Sequence, residues 1–298
     1  MSSLFAPDGP YGAPVQQRLA HWNRRRLAMA MPGGDWRAEL ARDQAMKLEE
    51  GDFIEAFRQE VRARAAEAPA DADGFVAWFE GLKETGPGQD DPLFPWLAQE
   101  ASLEDMRWFL LQEVAGEAGF DDLVAMTQVK APDQAKLELA ANYWDEMGRG
   151  TAAGMHGPML AKLAQALDLK PVIEATLAPS LALGNVMVAF ATTRRYAYHS
   201  IGALGAIELT APWRAAHVAE GLRRLGVGRP RQYFALHATL DIKHSETWDR
   251  EVLHPLVAAD PACAPFIAEG ALMRLACGGA CFAAYREALW GEDAALAG

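Results

Sequence analysis

Cysteine is scarce: Cys263, Cys277 and Cys281 are the only three in 298 residues, and they form no C-x-x-C pair. This excludes a disulfide framework and a thiolate zinc site, and a reducing compartment, the cytoplasm, is the expectation. Strand signals are missing too. No Asn-Gly or Asp-Gly turn joins alternating runs, and no segment recurs at a fixed period. Long apolar runs are lacking: the longest, Leu181 to Thr193, stops at Arg194-Arg195 and is too short to span a bilayer. The opening MSSLFAPDGPYG has neither a basic n-region nor an apolar h-region, so no secretory signal is expected. Positive charge is in deficit, 28 Lys and Arg against 40 Asp and Glu for a net −12. That balance argues against a nucleic acid or an anionic membrane as partner.

What remains is a chain 51% apolar and 23% charged, ordinary for a globular protein with a sizeable core. Helical patterns dominate, broken at Met31-Pro-Gly-Gly34, Gly86-Pro-Gly88, Gly148 to Gly150, Pro171, Pro212, Gly226 to Pro230, and Pro261. Eight or nine helices are expected in one all-α domain over 1–298. Residues 1–100 look less regular and more charged, and 101–290 read as a metal-binding helical core. Ser102-Leu-Glu-Asp105 predicts a capping box opening a helix through Glu113. Pro132-Asp133 suits the first turn of a helix ending at Gly148, and Pro230 opens one running into the 250s.

The strongest chemical signal is His237-x3-Asp241-x2-His244. At about 100° per residue, these three positions fall within roughly 60° of one another on one helix face. That face also carries Tyr233, Phe234, Leu240 and Trp248, so the row looks into an aromatic space. A buried His–Asp hydrogen-bonded cluster is the plainer alternative. Glu113 lies in the stripe of Leu103, Met106, Phe109, Leu110 and Val114, where a carboxylate must be paired, neutralised or metal-bound. A surface Glu beside Gly116 is its alternative. Glu208 interrupts the apolar run Ile201 to Leu209, with an ion pair to Arg194 or Arg195 as the competing role. His199, nine residues earlier, faces the opposite way and is not counted as a co-ligand. Glu146 and His156 flank a turn between two helices, where His156 alone would be an ordinary cap.

Together these are three histidines and four carboxylates without a thiolate, a donor set suited to iron or manganese. One ion needs only about four to six ligands, so seven candidates fit two ions better. The chain has a single Glu-x-x-His pair, Glu251 and His254, where ferritin-like bundles use two. It reads as a helix end before Pro255.

Residues from about Phe109 to Tyr285 resemble the haem-oxygenase-like diiron oxidases, also called iron-containing redox enzymes. The resemblance is carried by Gln112-Glu113 with Gly119-Phe-Asp-Asp122, by Asn142 to Gly148 with His156, by Gly202 to Glu208, and by His237-x3-Asp241-x2-His244. It implies a haem-oxygenase-like helical bundle that binds two Fe(II) ions rather than haem. Glu113, His156 and His244 would serve one ion; Glu146, Glu208, His237 and Asp241 would serve the other. Manganese or a mixed pair stays open. The implied activity is O2-dependent oxidation of a small substrate, often an amino acid or another amine, or a fatty acid. N-oxygenation, desaturation, C–C cleavage and ring closure are the family's outcomes, with an external electron donor where the substrate supplies none. Residues 1–100 lie outside the resemblance and are expected to shape substrate access or a homodimer contact.

Three readings compete. A true haem oxygenase needs a proximal histidine, and His21 is the only one in the first 155 residues. A thiaminase-like enzyme on the same fold needs a catalytic cysteine, for which Cys277 or Cys281 would serve. A non-catalytic helical binding protein would use its polar residues for structure alone. Arg149, Arg194 and Arg195 are candidates to clamp a substrate carboxylate.

Overall fold

The computed structural model describes Leu4 and residues 9–291. Among the described residues there are thirteen α-helices and no strand. The first hundred residues, expected to be less regular, hold four of these helices. They are α1 (Ala13–Leu27), α2 (Trp36–Ala65), α3 (Ala72–Thr85) and α4 (Leu93–Gln99). Sequence regularity was masked in α2 by its charge: only Glu50, Phe53, Ile54, Phe57, Val61 and Ala65 are buried in a 30-residue helix. That is a narrow apolar stripe on an otherwise solvated cylinder. α1 packs on α9 (Ala178–Thr192), α2 on α13 (Ala264–Trp290), and α4 on α10 (Ala197–Arg224).

The remaining helices are α5 (Leu103–Gly116), α6 (Phe120–Thr127), α7 (Asp133–Glu146), α8 (His156–Ala166), α11 (Gln232–Trp248) and α12 (His254–Ala259). The Ser102–Asp105 capping box is present, each residue satisfying the other's backbone N–H. The helix after Pro230 is interrupted: α11 gives way at Asp249–Leu253 to a π-helical turn. Pro255 follows and has no N–H to offer the carbonyl of Glu251, so the ladder changes register ahead of it.

α10 and α13 form the spine. At their crossing both partners are glycine: a methyl group at Gly202 would strike the Ile267 carbonyl, and one at Gly270 would strike that of His199. The backbones therefore approach as only glycine permits. The stretch Pro261–Trp290, divided in sequence by Glu269 and Arg274, is nonetheless long and apolar enough to cross a membrane. Here 72% of its apolar window is buried inside the protein, as in a core helix.

Candidate metal centre

The ten-residue spacing from Glu146 to His156 is closed by the loop between α7 and α8. Gly148, Arg149 and Gly150 all have positive φ, at 59°, 52° and 81°, and an antiparallel bridge pairs Met147 with Met155. That bridge sets the last residue of α7 beside the first of α8. His156 Nδ1 lies 2.6 Å from Glu146 Oε2. His237, on α11, meets His156 edge-on with ring centroids 4.6 Å apart. Its Nδ1–H donates to the Tyr233 carbonyl at 2.7 Å, which leaves Nε2 as the free donor atom. Glu146, His156 and His237 make one group, with a ligand atom from each lying within 4.8 Å of the others.

The second group is Glu208, Asp241 and His244, also within 4.8 Å. Asn142 donates to Glu208 Oε1 at 2.6 Å. Pro212, four residues on in α10, removes the N–H that would have bonded the Glu208 carbonyl. His244 Nε2 is 3.1 Å from Asp145 Oδ2, which turns Nδ1 toward Glu208 Oε2 at 3.4 Å. The groups adjoin, since the charges of Glu146 and Glu208 both bear on Asp241.

Without a cation these charges are poorly accommodated. Burial, then Glu208 and Glu146, push Asp241 up to about 10. Burial also raises Glu146 against the pull of His156. Burial lowers His237 to about 4, with the nearby His156 adding to the effect. His244 goes the other way: burial opposes its charge, but Glu208 and Asp145 raise it to about 9. The buried Nδ1 atoms of His156 and His244 have no hydrogen-bond partner although a carboxylate stands near each. Orphaned imidazole nitrogens beside misaligned carboxylates fit a shared cation, and two nitrogen–oxygen groups without sulfur fit iron or manganese.

Glu113 is brought into neither group. It faces the same cavity from α5, with Oε1 accepting from Tyr285 Oη at 3.0 Å, and burial raises it against Tyr285, Arg274 and Arg214. Proximity groups the residues differently from the division that the resemblance implies: His156 lies with Glu146 and His237, and His244 with Glu208 and Asp241. Other expectations resolve simply. Glu251 takes hydrogen bonds from Gln134 and Arg250, and His254 lies near Asp73, so that pair stays outside both groups. His199 contacts Glu269 at 2.8 Å. His21 is exposed beside Glu174. Cys277 and Cys281 are buried, and burial pushes Cys281 up to about 12, which disfavours a nucleophilic thiolate. Sequence reasoning missed Asp145, Asn142 and Tyr233 as the residues that orient ligands. Asn142 and Asp145 stood in the stretch Asn142 to Gly148 and Tyr233 on the face of the histidine row, but nothing in the sequence marked them as partners of ligands.

The two groups open on a cavity of about 160 Å³, lined on its apolar side by Phe94, Phe109, Leu123, Val218, Phe234 and Phe282. Arg149 pairs with Asp145, Arg195 with Glu55, and Arg194 donates to the carbonyls of Met126 and Thr127. None of the three lines the cavity; the arginines that do are Arg214 and Arg274.

Compared with known families, residues 107–279 match the family model described as iron-containing redox enzyme, a span that includes all seven candidate ligands. No curated protein matches the chain.

Proposed function

We propose, from the premise that this chain belongs to the iron-containing redox enzyme family and is an oxidoreductase, that it is an O2-dependent non-haem diiron oxidase or oxygenase. Its substrate is a small organic molecule, an amino acid or another amine, which it oxidises by N-oxygenation, desaturation, C–C cleavage or cyclisation. One observation supports the reading: two adjoining histidine–carboxylate groups each contribute lining residues, Glu146 with His237 and Glu208 with Asp241, to one largely apolar cavity.

Glu146, His156 and His237 would hold one iron, and Glu208, Asp241 and His244 the other. Two Fe(II) ions held there would supply the electrons for reducing O2. The chain's own work is positional. Tyr233 and Asp145 fix the rotation of His237 and His244, so each presents one nitrogen to the site. Asn142 holds the Glu208 carboxylate on its far oxygen. The phenylalanine wall keeps water from the reacting atoms, limiting side reactions of an oxidant. Electrons that the substrate does not provide come from an external donor, and the cytoplasm is the compartment that suits iron in this form.

The test is anaerobic addition of Fe(II) to metal-free protein, with iron counted per chain before and after Asp241→Ala. Exposure to O2 with rapid recording of visible absorbance follows. The expected result is about two irons per chain, fewer in the variant, and a transient absorbance band after O2. No iron above background would sink the reading.

A further inference from the structure

Arg214 on α10 and Arg274 on α13 line the cavity that holds the ligand groups, and no ion pair engages either among the described residues. Arg214 donates from Nη2 to Thr210 Oγ1 at 2.9 Å and lies over the Phe282 ring at 5.5 Å. The Nε of Arg274 is buried without a hydrogen-bond partner. Two acids share the cavity and feel these charges, Glu113 both arginines and Glu117 Arg274, yet neither closes an ion pair with them: Glu113 accepts from Tyr285, and Glu117 from the backbone N–H of Gly119 at 3.0 Å. Burial, with Arg274 as a neighbour, pulls Arg214 down to about 9, and Glu113 offsets only part of that.

A guanidinium removed from water is costly unless an anion meets it, and each carries five N–H donors in a fork that fits a carboxylate. Two such forks in one cavity, with one Nε unpartnered, leave donors to spare. From them we infer that Arg214 and Arg274 anchor a carboxylate of the substrate. The substrate body then lies along Phe94, Phe109, Val218 and Phe282 and reaches toward His237 and Asp241. The resemblance already implies carboxylate-bearing substrates, amino acids and fatty acids; what is assigned is the pair of side chains that holds that carboxylate. The orientation, though not the anchor itself, rests on the proposed function, because that reading places the chemistry at the ligand groups.

The test compares each of two carboxylates, hexanoate and L-norleucine, with its neutral amide, by calorimetric titration of the anaerobic Fe(II)-loaded chain and of the metal-free chain. The expected result is that at least one acid binds about tenfold or more tightly than its amide in both preparations. Arg274→Gln and Arg214→Gln should each erode that preference about tenfold, leave the amide's affinity unchanged, and leave the iron count intact. Arg274→Lys and Arg214→Lys, which keep the charge but not the fork, should retain part of it and serve where a glutamine variant does not fold. Equal binding of acid and amide overturns the inference, as does a preference that survives both glutamine substitutions. A preference that vanishes when iron is left out puts the carboxylate on the metal and overturns it too. Failure of iron to load would count against the proposed function alone, because the metal-free titrations still report on the arginines.

Discussion

His156 Nδ1 stands 2.6 Å from Glu146 Oε2 and yet has no hydrogen-bond partner. At that separation two polar atoms that are not aligned to share a proton are poised to share a cation. His156→Ala is therefore expected to bind roughly one iron per chain where the unaltered protein binds two, because Glu208, Asp241 and His244 are untouched. Colorimetric iron counting after anaerobic loading and desalting checks this. An unchanged count would remove His156 from the ligand set.

Asp145 belongs to neither ligand group, but it fixes His244 through Nε2 at 3.1 Å while Arg149 holds its other oxygen at 2.6 Å. Partners that orient a ligating histidine usually contribute about 10–100-fold in metal affinity. Asp145→Asn should weaken binding by that factor in a competition titration against a chelator and leave the number of sites the same. Affinity equal to that of the parent protein would show that the imidazole needs no such support.

Much of this centre was legible in sequence because helical geometry does most of the placing. His237, Asp241 and His244 share a face of α11 by spacing alone, and two of them meet Glu208 as a group. The pairing of Glu146 with His156 depends instead on three consecutive residues of positive φ and a single bridge, Met147 to Met155, that no periodicity encodes. Glu113 shows the limit from the other side. Its apolar stripe correctly announced a carboxylate facing the interior, but a stripe does not say which partner waits there, and the partner is Tyr285, 172 positions away. The same limit hid the cavity arginines: Arg194-Arg195 stands out as a basic pair in the chain, whereas Arg214 and Arg274 converge only when α10 and α13 cross.

The protonation pattern fixes a pH dependence. Asp241 is raised from 3.8 to about 10 and His244 from 6.5 to about 9, so near pH 7 the metal-free chain holds both protons while its unfolded form has lost that of Asp241 and most of that of His244. A group whose folded pKa lies above the unfolded one stabilises the fold at low pH and loses that contribution as pH rises through the folded value. The metal-free protein should therefore melt at progressively lower temperature from pH 7 to pH 9. His237, lowered to about 4, acts only below that window. Metal affinity should move oppositely, rising over the same range, because ligation requires these groups deprotonated and releases their protons. Melts of the metal-free chain alongside a proton-release titration in weak buffer measure both slopes. A melting temperature that rises with pH would mean that the two groups are not protonated in the folded metal-free state.

Two glycines set how closely α10 and α13 approach. Gly202 on α10 and Gly270 on α13 let the two helices touch backbone to backbone, and Arg214 and Arg274 hang from those helices further along. An added methyl at Gly270 would meet the main chain of His199, which cannot rotate aside as a side chain can. Gly270→Ala should then cost about 1–3 kcal/mol or more, since the helices must part to admit it. Gly51 provides the contrast. It lies inside α2 with nothing within 4 Å of the position a Cβ would take, so Gly51→Ala should stabilise by roughly 0.5–1 kcal/mol through helix propensity. Denaturant melts of the two variants separate crowding from propensity: opposite signs are expected, and a Gly270→Ala protein as stable as the parent would mean that the crossing is not held at backbone contact.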